Sequence, residues 1–183
     1  MGKSIILGRR IYLRNLTIED AKQIQKICHD KSVHKFTRVP YPYKIKDAFS
    51  FIKRGNSKNN TNEIIFGIIN KETKELMGTI SFVRINKKDN KSEIGYMIGK
   101  KFRNKGYVTE AAKLLLEYGF KKFKFNKIYI NCAKENEASK KVIKKLGCKK
   151  EALLKKDIFV GGKYHDHLIN GIFRSDWMRK KCR

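Results

Sequence analysis

The chain has 183 residues, of which 40% are hydrophobic and 11% aromatic, a composition that excludes a disordered chain and predicts one folded domain over residues 1–183. The formal net charge of +27, from 44 basic and 17 acidic residues, excludes an acidic protein and indicates general affinity for polyanions. No apolar run reaches transmembrane length and no signal-peptide core is present, so we expect no membrane partner and a cytoplasmic location.

The basic residues are mostly lysine, 34 of the 44, and they are spread along the whole chain. Recognition of phosphates and bases concentrates arginine as well, so the charge alone does not predict sequence-specific nucleic-acid binding. Whether it is functional or a drift of composition stays open. Four cysteines at positions 28, 132, 148 and 182 are too far apart for a metal motif or a disulfide framework, which favours a reducing compartment.

The sequence predicts a strand, two helices and a β-hairpin in the first half of the chain. An alternating run at 10–14 predicts a strand, and Thr17 with Asp20 predicts the start of a helix. The two prolines, at positions 40 and 42, predict a loop, and a short helix follows it. Apolar runs at 64–69 and 76–85, separated by a polar turn, predict a hairpin.

The centre of the chain is a basic glycine turn, residues 101–111, between a strand-like run at 93–98 and a helical segment. Backbone N–H groups at a helix start are unpaired, and the helix dipole adds partial positive charge there. Gly106 allows the backbone to approach a ligand closely, while Arg103 and Lys105 add two cations. This combination predicts a site for a phosphate or pyrophosphate.

The last third predicts a central strand at 127–133, a helix capped by Asn136 and ended by Gly147, and two final strands. The strands run from 148 to 154 or beyond and from 164 to 173, and we expect the basic tail to fray from Trp177. A crossover between the strands at 93 and 127 should be parallel. The predicted fold class is therefore α+β, a mixed, mostly antiparallel sheet of about seven strands with a central parallel pair and about four helices.

Three blocks in order resemble the GCN5-related N-acetyltransferases (GNAT), and within them the RimJ/RimL branch that acetylates ribosomal-protein N-termini. The blocks are the turn Arg103–Val108, the segment Asn136–Cys148 and the ending Gly162–Trp177. The resemblance covers nearly the whole chain and implies the GNAT fold. The chain departs from the family at Val108, where glycine or alanine is preferred, and at Ile143, where many members outside this branch carry a tyrosine acid.

The resemblance implies acetyl-CoA as co-substrate, with the coenzyme pyrophosphate on the backbone of the turn. The pantetheine arm would pair with the end of the strand at 97–98 and with the next helix. The implied coenzyme-binding residues are Met97, Ile98, Arg103, Asn104, Lys105, Gly106, Tyr107, Val108, Thr109, Asn131 and Asn136.

Two side chains are candidates for the chemistry of amine acetylation, which needs a neutral amine and a stabilised thiolate. Glu93 is the candidate base, and the alternative is a carboxylate paired with one of many lysines. Ser139 is the candidate donor to the thiolate, and the alternative is a serine that satisfies backbone N–H groups.

Other candidate side chains are two histidines and two tyrosines. His165 and His167 have the spacing of two metal ligands, but no third ligand is evident, so no metal is expected and both should face solvent or the acceptor groove. Tyr41 and Tyr43 either line that groove or pack the loop.

The predicted acceptor is a primary amine, most plausibly a protein N-terminal α-amine, with association with the ribosome as a further partner. The alternatives are a small amine, such as an antibiotic or polyamine, and a non-catalytic basic module that binds nucleic acid or the ribosome. The oligomeric state is open between monomer and homodimer. An α-amine has a pKa of about 7.7–8.0 against about 10.4 for lysine, so its acetylation needs a weaker base than the acetylation of a lysine side chain.

Overall fold

The computed structural model describes residues 5–57 and 59–181, and within these it contains nine strands and six α-helices. The helices are α1 (Ala21–Cys28), α2 (Lys31–His34), α3 (Ile45–Asn56), α4 (Tyr107–Lys122), α5 (Glu137–Leu146) and α6 (Arg174–Lys181). The strands are β1 (Ile5–Leu7), β2 (Ile11–Arg14), β3 (Ile64–Asn70), β4 (Leu76–Asn86), β5 (Lys91–Ile98), β6 (Lys127–Tyr129), β7 (Cys132–Ala133), β8 (Lys149–Val160) and β9 (Lys163–Phe173).

All nine strands form one sheet in the order β1-β2-β3-β4-β5-β6-β9-β7, with β8 paired to β9. The β5–β6 pair is parallel, and the other described pairs are antiparallel. The predicted α+β class and its central parallel pair are confirmed. The predicted numbers, about seven strands and four helices, are too low, because β1, α2 and α6 are added and the run at 127–133 is divided into β6 and β7.

Helices cover both faces of the sheet, which we call the α4 face and the α1 face. Alternation along β3 sends Phe66 to the α4 face and Ile65 to the α1 face, as the twofold period of a strand requires. On the α4 face, Leu115 and Phe120 of α4 are fully buried. On the α1 face, Ile24 of α1 packs against α3. The helices therefore bury both faces of the central strands.

The C-terminal segment corrects the expectation of a fraying tail. Residues from Arg174 form α6, and Trp177 is only 7% exposed, with its ring centroid 6.3 Å from that of Phe120. Burial of a tryptophan removes enough apolar surface from water to hold a short basic helix in place. Two adjacent apolar residues, Trp177 and Met178, among charges have no helical periodicity, so the sequence pattern did not indicate this helix.

Strand β8 forms one edge of the described sheet and bonds to β9. Its register shifts twice, between Lys150 and Ala152 and between Leu154 and Ile158. Four lysines of this strand are exposed, at positions 149, 150, 155 and 156. In the described part of the chain, no helix is both long and apolar enough to cross a membrane.

Candidate active site

A cleft opens in the sheet where the two parallel strands separate. Strands β5 and β6 pair from Lys91 opposite Lys127 to Glu93 opposite Tyr129. Beyond that point the chain follows β9 instead, and the Ile130 N–H donates to the Asn170 C=O at 2.9 Å. In the described chain, β5 from Ile94 onward therefore has no strand on this side. Such an edge can bond an extended ligand that carries amide groups, which fits the predicted role of Met97 and Ile98.

Asn131 lies between the end of β6 and the start of β7. Its Oδ1 accepts a hydrogen bond from the Asn170 N–H of β9 at 3.0 Å, so the side chain takes the place of a backbone carbonyl there. The amide oxygen is used inside the protein, and the amide N–H₂ group is the part of Asn131 that remains for a ligand.

The basic turn presents a run of backbone N–H groups. Asn104 and Gly106 both have positive φ, 61° and 82°. Within the described structure, the N–H groups of residues 104–109 donate no backbone hydrogen bond, and the Glu110 N–H makes the first helical bond, to the Gly106 C=O at 3.0 Å. Unpaired N–H groups at the positive end of a 16-residue helix are suited to bind an anion. The position of the pyrophosphate on this turn stays a prediction.

The backbone conformation at position 106 favours glycine, and a side chain there would also press on Arg10. The φ of 82° at Gly106 lies in the left-handed region, and a Cβ there would lie 3.3 Å from Arg10 Nη2. Val108, where the family prefers a smaller residue, contributes its N–H from within the first turn of α4. The departure at Val108 therefore leaves the backbone donor in place.

A clamp that the sequence did not reveal holds this turn. The Arg10 backbone N–H and Nε donate to the two carboxylate oxygens of Glu110 at 2.8 and 2.9 Å, and Nη1 donates to the Lys105 C=O at 3.0 Å. The guanidinium also lies 4.7 Å from the centre of the Tyr107 ring. The start of β2, 96 residues upstream of Gly106, therefore fixes the shape of the turn.

This clamp makes a prediction for acid pH. Burial alone would raise the pKa of Glu110, but the hydrogen bonds and charge of Arg10 outweigh it and hold that pKa below its ordinary value. A lowered folded-state pKa stabilises the protein above the unfolded value of about 4.5, and the contribution disappears as pH falls through the folded value. We expect Glu110→Gln to lower stability at pH 7 by on the order of 1 kcal/mol.

The measurement is thermal unfolding of wild type and Glu110→Gln between pH 7 and pH 3. The difference between the two melting temperatures should vanish at the acid end of this range. Glu117→Gln is the control, because Glu117 pairs with Lys121 on the same helix with 32% of its side chain exposed. A Glu110→Gln difference that stays constant with pH would contradict the clamp.

Arg103 is held by groups of the protein itself. Its Nη1 donates to Ser32 Oγ at 2.7 Å, Nη2 lies 4.0 Å from Asp30 Oδ2, and Nε donates to the Ile98 C=O at 3.4 Å. The guanidinium thus joins α2 to the end of β5, because an acidic residue and a hydroxyl lie within its reach there. Lys105 is exposed, and the described structure shows no ion pair for it, so it is the cation that remains at the turn.

Ser139 lies beside the cleft on the α4 face, in the first turn of α5. Asn136 caps this helix, as predicted, since its Oδ1 accepts from the Ser139 N–H at 3.1 Å. The Ser139 hydroxyl is therefore not needed for capping. Its Oγ lies 2.6 Å from the phenol oxygen of Tyr96, and the serine is only 7% exposed. Ser139 is a residue that the sequence predicted for the site, whereas Tyr96 is one that it did not indicate.

Both neighbours of Ser139 on this face are held in their neutral forms. Burial raises the pKa of Tyr96, against the opposing hydrogen bond from Ser139. Burial likewise raises the pKa of the Cys132 thiol, and the Ser139 hydroxyl again opposes it. A neutral phenol and a neutral thiol flank the serine at neutral pH, so neither of these two neighbours adds negative charge beside a thiolate.

Glu93 lies on the α1 face at the point where the cleft begins. It lines a cavity of about 280 Å³ whose other walls are Arg84, Lys91, Ser92, Tyr129, Asn131 and Ile169. Its carboxylate accepts from Arg84 Nη1 at 2.7 Å, and the Arg84 side chain is 65% exposed. Glu93 is paired with an arginine, and an exposed pair of this kind is weak.

The two histidines are buried, which corrects the expectation that they face solvent. His165 Nδ1 lies 3.0 Å from Glu135 Oε2, and His167 Nδ1 lies 2.8 Å from Asp157 Oδ2. Each histidine has its own carboxylate partner: Asp157 belongs to β8, which pairs with β9, and Glu135 lies in the loop between β7 and α5. Among the described residues, no group of three potential metal ligands is present.

The two tyrosines of the proline loop have different environments. Tyr43 is 6% exposed and belongs to the α1-face core, so it packs the loop and does not line a groove. Tyr41 is 50% exposed, and its ring packs against that of His34 with the centroids 4.8 Å apart.

Comparison with known proteins identifies the domain. The family model described as an acetyltransferase (GNAT) domain matches residues 10–149, which include the turn, the cleft and Ser139. The chain belongs to the GNAT family of acetyltransferases. The uncharacterized N-acetyltransferase YnaD of Bacillus subtilis is 30% identical to it over 94% of this chain and 98% of the relative. A GNAT-family acetyltransferase structure from Bacillus anthracis superposes with a TM-score of 0.84 at 27% identity, over 94% of this chain and 99% of that one.

These comparisons establish a GNAT fold and an acetyl-CoA-dependent N-acetyltransferase. The structure of the microcin C7 self-immunity acetyltransferase MccE in complex with acetyl-CoA and AMP has a TM-score of 0.82 and 26% identity, over 90% of this chain and 92% of that one. The GNAT relatives differ in acceptor. The ribosomal protein uS5-alanine N-acetyltransferase of Escherichia coli is 26% identical over 61% of this chain and 58% of the relative. The spermidine N(1)-acetyltransferase of that species is 25% identical over 92% and 88%.

Proposed function

We propose that this acetyltransferase transfers acetyl from acetyl-CoA directly to the α-amine of a protein or peptide N-terminus in the cytoplasm. The proposal rests on the charges around Glu93, where we place the acceptor amine. The cavity at Glu93 is lined by two cations, Arg84 and Lys91, and each is paired with a carboxylate, Arg84 with Glu93 and Lys91 with Asp89, both at 2.7 Å. This lining offers a polycationic amine no unpaired carboxylate, whereas an N-terminal amine brings one charge that it can lose near neutral pH.

The shape of the surface around Glu93 also suits the end of a polypeptide chain. Arg84 lines both the cavity at Glu93 and an open cleft of about 850 Å³ between the end of α3 and the β4–β5 hairpin. This second cleft carries Arg54, Arg84 and Lys87 against one acidic residue, Glu63. A polypeptide can enter at Glu93 and continue across Arg84, while a small amine would leave most of this surface unused.

The proposed coenzyme site combines the turn and the cleft. The pyrophosphate lies on the N–H groups of residues 104–109, with Lys105 as the nearby cation. The pantetheine arm follows Met97 and Ile98 along the open edge of β5. The side-chain N–H₂ groups of Asn131 and Asn136 are donors for the arm, because both amide oxygens accept backbone N–H groups within the protein.

The proposed chemistry is a direct displacement. The neutral amine nitrogen attacks the thioester carbonyl carbon, the C–S bond breaks, and the electron pair goes to the coenzyme sulfur. Glu93 accepts the proton that the amine nitrogen loses, through water where the distance requires it. Ser139 donates a hydrogen bond to the departing thiolate. The buried cysteines take no covalent part, and burial raises the pKa of Cys28 to about 12.

Competition among acceptors tests this proposal. Peptides with free N-termini, N-blocked peptides containing lysine, polyamines and aminoglycosides are supplied in one mixture, and kcat/KM is measured for each by the acetylated product. We expect free N-termini to exceed every other class by at least about tenfold, because an α-amine is neutral more often than lysine at pH 7. A small amine with the highest kcat/KM would establish the small-molecule alternative instead.

Ribosome association is tested in the same assay by adding a ribosomal protein, free and assembled with RNA. Positive charge should favour the RNA-bound form, and the advantage should decline with salt because screening shortens electrostatic reach to about 8 Å at physiological ionic strength. Equal rates on both forms at low salt would contradict ribosome association. The family membership argues against a non-catalytic binding module.

A further inference from the structure

We propose that Tyr96 is a positioning residue for thiolate departure: its phenol donates a hydrogen bond to Ser139 Oγ and so directs the serine hydrogen toward the coenzyme sulfur. This inference rests on the proposed function, in which Ser139 assists the thiolate. Tyr96 lies on β5 along the open cleft, and Ser139 lies at the start of α5, 43 residues later. Their oxygens are 2.6 Å apart.

The direction of this hydrogen bond decides the chemistry. A hydroxyl has one hydrogen, so a serine that donates to Tyr96 could not also donate to a thiolate. A phenol is a stronger acid than an alkyl alcohol, and the alcohol oxygen is the better acceptor, so the favoured donor is Tyr96. The serine hydrogen is then left to point away from Tyr96.

Ser139 also acts on a sulfur-bearing side chain. Burial raises the pKa of the Cys132 thiol, and the Ser139 hydroxyl opposes that rise. Cys132 lies on β7, the strand that borders the cleft opposite β5. A coenzyme thiolate in the cleft between these two strands would meet the same hydroxyl.

Tyr96 orients the serine and does not supply the proton itself. Burial raises the pKa of its phenol, so the hydroxyl hydrogen is present throughout the neutral range. The ring also packs against the α4-face core, which fixes the phenol oxygen relative to α5. A rigid neutral donor of this kind selects one rotamer of the Ser139 hydroxyl hydrogen.

A double-mutant cycle tests the proposal. The variants Tyr96→Phe, Ser139→Ala and the double variant are compared for kcat, the KM for acetyl-CoA and the melting temperature. We expect Tyr96→Phe to lower kcat about tenfold, in line with the loss of one hydrogen bond to the group that acts on the transition state. The KM for acetyl-CoA should not change. The double variant should be no slower than Ser139→Ala alone, because Tyr96 has nothing to orient once the hydroxyl is gone.

Tyr118→Phe is the matched control, since Tyr118 packs in the same core with its ring against Phe66 and Phe123; its kcat should equal that of wild type. Wild-type kcat in Tyr96→Phe with a slow Ser139→Ala would overturn the role of Tyr96 and leave the proposed function standing. Additive losses in the cycle would also overturn it, because they would make Tyr96 structural. Unchanged kcat in Ser139→Ala would instead refute the proposed role of Ser139.

Discussion

Gly106→Glu is expected to abolish acetyl-CoA binding, with affinity falling at least about 100-fold. Two effects add. A side chain at φ 82° is strained, and its Cβ would lie 3.3 Å from Arg10 Nη2, in the clamp that shapes the turn. The added carboxylate would also place negative charge among the N–H groups proposed to hold the pyrophosphate, where like charges repel. Calorimetric titration with acetyl-CoA measures the loss.

Gly162→Glu is the matched control for this variant. Gly162 has a φ of 80°, nearly that of Gly106, but lies in the β8–β9 turn, and no heavy atom lies within 4 Å of its ideal Cβ position. It carries the same backbone strain without touching the turn, so its affinity for acetyl-CoA should equal that of wild type. Equal affinities in both variants would place the coenzyme elsewhere, and equal losses would show that strain alone is responsible.

Ser139→Ala is expected to lower kcat on the order of 10²–10⁴-fold while leaving the KM for acetyl-CoA unchanged. The hydroxyl is 7% exposed beside the cleft and is not used for capping, because Asn136 provides the cap. Its loss would leave the thiolate without its proposed donor, an interaction that exists only as the C–S bond breaks. Steady-state kinetics with a free-N-terminus peptide separates kcat from KM.

Ser50→Ala is the control for the serine prediction. Ser50 is also a helical serine, on α3, and its Oγ donates to the Lys46 C=O at 2.9 Å. Its removal should change neither kinetic constant. Turnover near that of wild type in Ser139→Ala would make Ser139 a structural hydroxyl that only satisfies Tyr96.

The fold was largely predictable because its strands and long helices have clear periods. The capping box of Thr17 and Asp20 is present at the first helix, and Gly147 ends α5 with a φ of 76°. The errors have local causes. Strand β1 is three residues long and α2 four, both too short to show a period. The predicted strand at 127–133 is interrupted because the Asn131 side chain replaces a backbone carbonyl in the hydrogen bonding with β9.

The site was predicted where it is local in sequence and missed where it is assembled from distant segments. The turn at Gly106 and the cap at Asn136 are contiguous motifs. The clamp joins residues 100 positions apart, and the Tyr96–Ser139 pair joins residues 43 apart, so neither leaves a periodic signal. Arg103 has a partner that the sequence did not indicate, Ser32 of α2, and its contact with a phosphate stays a prediction.

Part of the positive charge lies on the edge strand β8, where its role does not involve a ligand. An unpaired edge is a template on which another copy of a sheet can add and begin to aggregate. Along β8, the exposed lysines at 149, 150, 155 and 156 would have to lose hydration and approach like charges in such a stack. The two register shifts also bend the edge out of line. At the opposite edge, β1 has three residues in the described part of the chain, so both described borders of this nine-stranded sheet resist growth into fibrils.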